Sequence, residues 1–145
     1  MARFLIDTNV LLRAAAPQST HFASAVESIK RLAVRGEELL LAPQVVMEFW
    51  AAATRPVDVN GYGWSAAIAE AKVADLLRQF PLVPETPAVF VEWFRLVSFH
   101  GILGKQAHDA RLVAILNTHA IPHLLTFNVG DFQRYDIHVV SPEHV

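Results

Sequence analysis

Short runs of branched apolar residues alternate along the chain with longer stretches whose apolar positions recur at helical spacing. That alternation is the pattern of an α/β domain built on a mostly parallel sheet, and it predicts four or five strands flanked by helices. The first strand is Arg3 to Ile6. Leu11, Leu12 and Ala14 to Ala16 form a short helix or turn before Pro17, and a helix from about Thr20 to Arg35 stops at Gly36. Leu39 to Leu41 is the second strand, after which Pro43 opens a helix to about Thr54, since its missing N–H is no loss in a first turn. Arg55 to Gly63, with Pro56, Asn60, Gly61 and Gly63, is the longest connection. Further helices are expected from Trp64 to Gln79, Pro87 to about His100 and Gln106 to about His119. Phe80 to Val83 is a short strand whose proline suits a sheet edge, and His123 to Thr126 and Ile137 to Val140 are the last two strands.

A chain of 145 residues supports one hydrophobic core, so a single domain over residues 1–145 is expected. No cysteine is present, which excludes a thiolate metal site, a cysteine nucleophile and a disulfide scaffold, and is compatible with a reducing cytoplasm. Asp7 interrupts the first apolar run too early for a secretory leader, and no apolar run is long enough to span a membrane. The 14 acidic against 12 basic residues argue against a broadly basic nucleic-acid platform, so any such contact must be local.

The informative acids stand where acids are costly. Asp7 follows Phe4-Leu5-Ile6, at the carboxyl end of a strand buried on both faces, where open α/β sheets build their ligand crevice; it is also placed to cap a helix. Glu48 lies in Val45-Val46-Met47-Glu48-Phe49-Trp50, a helix apolar nearly all round, so it needs a solvent sliver, a structural partner or a bound cation. Asp109 shares a helix face with Leu112 and Val113, and being near the helix start it also suits the helix dipole. Asn128 and Asp131 follow Leu124-Leu125-Thr126 as Asp7 follows the first strand, in a segment that reads equally as turn chemistry. Parallel neighbouring strands end on one sheet edge, so these elements can converge. Several carboxylates without thiols make a hard oxygen site suited to Mg²⁺ or Mn²⁺ and to phosphodiester chemistry.

Phe4-Leu5-Ile6-Asp7-Thr8-Asn9, Pro43-Gln44-Val45-Val46-Met47-Glu48-Phe49-Trp50, His108-Asp109-Ala110-Arg111 and Leu125-Thr126-Phe127-Asn128-Val129-Gly130-Asp131-Phe132 together resemble the PIN-domain family, especially its VapC-type toxins. The resemblance spans essentially the whole chain. It implies a Rossmann-like sheet and a Mg²⁺- or Mn²⁺-dependent ribonuclease that uses activated water and leaves a 5′-phosphate and a 3′-hydroxyl. By position, Asp7, Glu48 and Asp109 match the family's metal-organising acids, and Asp131 matches a further acid before the aromatic. Thr8 and Thr126 match hydroxyl positions beside the site. Asn128 departs from the aspartate many relatives carry, which implies a weaker second metal position. A separately encoded antitoxin and a homodimer are the partners the resemblance implies.

RNA phosphates need cations at the rim of such a pocket, and Arg13, Arg55, Lys105 and Arg111 are the candidates, each of which reads equally as a solvated charge. Setting Asp7, Glu48, Asp109 and Asp131 aside turns 14 acids against 12 bases into 10 against 12. The helix carrying Val89, Phe90, Val91, Trp93, Phe94, Leu96, Val97 and Phe99 has more apolar surface than one core contact needs, so part of it is expected to meet a second copy or an antitoxin.

Three rival patterns are weaker. His119 and His123 have the spacing of a helical zinc pair, but Pro122 lies between them. Gly61-Tyr62-Gly63-Trp64-Ser65-Ala66 fits a dinucleotide fingerprint, yet the segment before it is a poor strand. A haloacid-dehalogenase-like phosphatase would need an acid where Asn9 stands. A PIN-like fold that binds RNA or a partner without cleaving it is the remaining alternative.

Overall fold

The apolar run Phe4-Leu5-Ile6 forms the core of β1 (Arg3–Ile6), its side chains buried on both faces. In the computed structural model, which describes residues 1–145, β1 lies inside a four-stranded sheet. Its neighbours are β2 (Glu38–Leu40) and β3 (His123–Leu125), and β4 (His138–Val140) closes the far edge. Every pairing is parallel, with Leu5 opposite Leu40 on one side and Leu124 on the other. A fully covered parallel sheet needs strands apolar on both faces, which is what Leu39-Leu40 and Leu124-Leu125 supply.

The order β2-β1-β3-β4 carries the functional consequence. The chain winds outward from β1 to β2 and later returns to the opposite side of β1. The gap between the carboxyl ends of β1 and β3 is therefore a topological switch point, where open α/β sheets leave a crevice.

Six helices cover the sheet: α1 (Thr8–Ala14), α2 (Phe22–Val34), α3 (Pro43–Thr54), α4 (Ala66–Gln79), α5 (Pro87–His100) and α6 (Gln106–Thr118). α4 begins two residues later than the alanine pattern suggests because the Ser65 hydroxyl accepts from the Ile68 N–H at 3.2 Å, an N-cap that sets the start. α2 likewise begins at Phe22, after a turn through residues 17–21. The expected strand from Phe80 to Val83 is reduced to one parallel bridge, Leu41 to Leu82. Leu41 N–H donates to Pro81 O and Val83 N–H to Leu41 O, both at 2.9 Å. Pro81 and Pro84 on either side supply no N–H, so the ladder cannot lengthen.

The connection after α3 contains one turn of 3₁₀ helix, Val57–Val59, and no strand precedes the Gly61-Tyr62-Gly63 run. Its glycines answer to packing: a Cβ on Gly61 would lie 2.0 Å from the Arg55 carbonyl oxygen, and Gly63 has φ +68°. The dinucleotide pattern thus reflects a loop folded back onto the end of α3. His119 caps α6 while His123 begins β3, so they share no helical face.

α5 is held to α6 by the buried Val89 and Leu96, and the Trp93 indole N–H donates to Ala107 O at 2.9 Å. Its opposite face is left open, with Phe90, Val91, Phe94 and Phe99 exposed and Phe90 stacked on Phe94. No helix is long and apolar enough to cross a membrane.

Candidate metal centre

β1 delivers Asp7 to the switch point, where the residue is only 6% exposed. Its backbone continues the sheet by donating to Leu125 O at 2.9 Å, and its side chain caps α1 by accepting from Thr8 N–H at 2.7 Å. Capping and site formation are thus compatible, because the cap uses Oδ1 and leaves Oδ2 to the crevice. Oδ2 accepts from the Thr126 hydroxyl at 2.8 Å and from the Asn9 side-chain amide at 3.2 Å. Thr126 is fully buried one residue beyond β3, and its oxygen also accepts from the Asn9 amide at 3.1 Å and the Asn128 N–H at 3.0 Å. Asn9 completes the knot by accepting from Phe127 N–H at 3.0 Å. Every hydrogen-bonding direction of the threonine is used, so the Asp7 carboxylate is held in one orientation.

Glu48 enters from α3 on the other side. Thr8 Oγ1 stands 3.2 Å from Val45 O and 3.4 Å from Glu48 Oε1, so one hydroxyl ties the start of α1 to this carboxylate. Asp109 approaches from the first turn of α6, half-buried, and Asp131 from an exposed turn of 3₁₀ helix, Val129–Phe132. Asn128 is exposed at the start of that turn and accepts from Asp131 N–H through its carbonyl at 3.1 Å.

Three of the four acids respond to the charge of the others. Burial pushes the Asp7 carboxyl up, partly opposed by its three donors, and the charge on Asp131 adds to the rise. Burial and the charge of Asp7 raise Glu48. Asp109 is pushed up to about 6, first by burial and then by Asp131 and Asp7, with His108 and Lys105 pulling against the rise. None of the four takes part in an ion pair. No three histidine, aspartate or glutamate side chains are drawn tightly enough together to form a closed ligand set. The donors are all oxygen, they repel one another, and none is ion-paired; a hard divalent ion answers each of these conditions.

The expected rim cations have different surroundings. Arg111 donates to Gln44 Oε1 at 2.9 Å and to Glu85 Oε1 at 2.6 Å, on the wall of an open cleft of about 440 Å³ that also contains Glu48 and His108. Lys105 is exposed just before α6, and its charge pulls the Asp109 carboxyl down. Arg55 caps the far end of α3, seven residues and hence about 10 Å of helix beyond Glu48. Arg13 lies over the Phe127 ring.

Two residues of the site escaped the sequence reading. Asn9 makes three of the hydrogen bonds that fix Asp7 and Thr126, and the only local signal was an amide two residues after the acid. Gln44 is buried and joins α3 to α6, its amide donating to His108 O at 2.9 Å while its oxygen accepts from Arg111. A buried glutamine one residue after a helix-opening proline has no distinguishing pattern.

The sequence model of the PIN domain matches residues 4–137, and the chain belongs to that family. Its fold is shared by VapBC2 of Rickettsia felis, solved bound to a DNA fragment from its promoter, at 14% identity, 96% of this chain, 98% of that one and a TM-score of 0.70. FitAcB of Neisseria gonorrhoeae aligns at 19% identity over 98% and 99% with a TM-score of 0.63. VapC20 of Mycobacterium tuberculosis, a sarcin-ricin loop cleaving toxin, aligns at 16% over 93% and 98% with a TM-score of 0.65. No protein of curated function matched the chain in sequence.

Proposed function

We propose that this PIN domain is a Mg²⁺- or Mn²⁺-dependent endoribonuclease and the toxin of a type II toxin–antitoxin pair. What supports the reading is the charge coupling among the acids: burial and the charge of Asp131 raise Asp7, burial and Asp7 raise Glu48, burial, Asp131 and Asp7 raise Asp109, and none of the four is ion-paired. A divalent ion held there supplies Lewis-acid charge that activates water and offsets charge developing on a phosphodiester. Asp7, locked by Thr8, Asn9 and Thr126, would be the fixed ligand. Glu48, steadied by Thr8, together with Asp109 and Asp131 would supply the further oxygens. Asn128 in place of a further acid lowers the charge available for a second ion. Arg111, Lys105, Arg13 and Arg55 are the candidates to meet RNA.

The partner assignment draws on the fold neighbours, several of which were solved as toxin–antitoxin complexes, and on the open apolar face of α5. That face suits a second copy of the chain or an antitoxin, in the cytoplasm. A second reading, RNA binding without cleavage, is favoured by the absence of a closed ligand set.

Purified protein incubated with structured RNA separates the two. Cleavage with Mg²⁺ or Mn²⁺, none in chelator, and loss of cleavage in Asp7→Asn and Asp109→Asn are expected. Cleavage that survives both substitutions or proceeds in chelator refutes the nuclease reading, and retardation of intact RNA supports the second.

A further inference from the structure

Between the helices that carry Glu48 and Asp109 stands one buried amide. α3 leaves the carboxyl end of β2 and α6 leads into β3, and those two strands lie on opposite sides of β1. Both helices therefore open on the carboxyl edge of the sheet, with the Asp7 end of β1 between them. Packing of one on the other does little to set their separation, since α3 rests chiefly on α1 and α4, and α6 on α5. No ion pair joins them. The hydrogen bonds that do so both run through Gln44.

Gln44 stands in the first turn of α3, four residues and hence about 6 Å of helix before Glu48, on the same face. Its partners bracket Asp109 in the chain. The amide nitrogen donates to the carbonyl of His108, one residue before the acid, and Oε1 accepts from Nη1 of Arg111, two residues after it, each at 2.9 Å. Arg111 is anchored in turn by Glu85 at 2.6 Å. Gln44 is only 8% exposed, yet it lines the same cleft as Glu48 and His108. An apolar side chain of equal length would fill that space, because a buried amide gains little net energy once both of its ends must be paired. What the amide adds is direction. A donor and an acceptor in one plane hold a distance that apolar contact leaves soft.

We propose that Gln44 is a positioning residue, the strut that sets the gap between the Glu48 and Asp109 carboxylates and thereby the span in which a divalent ion is held. The consequence for the ion rests on the metal reading of the acid site; the tie between α3 and α6 does not. With its oxygen committed to Arg111, Gln44 acts through the two helices and not as a ligand.

The test reads the gap directly. The chain has no cysteine of its own, so nitroxide labels at Ala51→Cys on α3 and Gln106→Cys on α6, both exposed positions, report one distance between the helices by pulsed EPR in chelator. The labelled parent is expected to give one narrow distribution. Gln44→Met keeps the length and loses both hydrogen bonds, and should broaden it. Arg111→Met cuts only the bond to Oε1 and should broaden it by less, which carries the test if Gln44→Met does not fold. Glu85→Gln leaves both bonds of Gln44 in place and should leave the width as it is. Mn²⁺ affinity of the unlabelled proteins, taken from the EPR signal of the free ion, is expected to fall about tenfold in Gln44→Met and to hold in Glu85→Gln. A glutamine that only stabilises the fold would lower the urea midpoint and move neither reading. Unchanged widths overturn the proposal, as does broadening with unaltered Mn²⁺ affinity. Broadening in a protein whose wild type binds no Mn²⁺ upholds the tie and rejects the metal reading, whereas Mn²⁺ binding with unchanged widths rejects the strut alone.

Discussion

Thr126→Val isolates the hydrogen-bond knot that fixes Asp7. Valine has nearly the shape of threonine, so the fully buried position stays filled and no cavity term arises. What is lost is the donor to Asp7 Oδ2 at 2.8 Å and the acceptor for Asn9 and Asn128. A hydrogen bond to a charged group contributes about 1.5–3 kcal/mol. Asn9 retains Asp7 as a partner, and exposed Asn128 has water nearby, so a total loss of about 2–3 kcal/mol follows. Urea unfolding at neutral pH in chelator measures it; with a slope of about 2 kcal/mol per molar, the midpoint should fall by roughly 1 M. Thr126→Ser keeps the hydroxyl and gives up one methyl group, so it should lose only about 1 kcal/mol. Because the hydroxyl stabilises the ionised carboxylate, the valine deficit should narrow as acid protonates Asp7. Metal affinity, read from the midpoint shift on adding Mn²⁺, should weaken by about tenfold in the valine variant as the ligand loses its orientation. A valine variant as stable as wild type, or more stable than the serine variant, would refute the account, since burial alone favours valine.

Asp109 predicts the sign of a pH effect. Its folded pKa is raised from 3.8 to about 6, so the folded chain binds the proton more tightly than the unfolded one. The associated stability is complete below the unfolded value and is lost as pH rises through about 6. An unscreened shift of this size is worth about 3 kcal/mol, and solvent around a half-buried group reduces that to about 1 kcal/mol. Asp109→Asn should therefore gain on wild type by about half that amount, about 0.5 kcal/mol, between pH 5 and pH 7.5, by urea unfolding in chelator; no pH-dependent gain would count against the shift. Gly61→Ala forces a methyl group to 2.0 Å from a backbone oxygen and should destabilise the fold by about 2–3 kcal/mol in the same assay. Phe94 is 60% exposed, so Phe94→Glu should change monomer stability by no more than about 0.5 kcal/mol. The same substitution should abolish self-association measured by sedimentation; wild-type protein that is monomeric throughout removes the α5 face as a homodimer surface.

Much of this chain can be read without coordinates because the signals are local. Apolar runs mark the strands, Pro43 and Pro87 open α3 and α5, and acids directly after apolar strands mark the carboxyl edge. Where local pattern misled, a specific atom intervened: Pro81 and Pro84 cut a strand to a single bridge, and the Ser65 hydroxyl moved the start of α4. The rim cations were less legible, since a side chain's spacing says where it starts and not which acceptor it finds. Arg111 is committed to Gln44 and Glu85, and Arg13 to Phe127, through partners far away in the chain.

By itself the sequence determined an α/β alternation with acids after two of its strands and within two of its helices, because neighbours in the chain set periodicity, and the absence of cysteine removes the softer ligands. Only the tertiary structure decided that β3 lies beside β1, and with it that Thr126, 119 positions from Asp7, orients that carboxylate. Strand order is chosen by which apolar faces bury best together, a property of the whole core. The meeting of Asp7, Asn9 and Thr126 therefore has no signature at any one of the three.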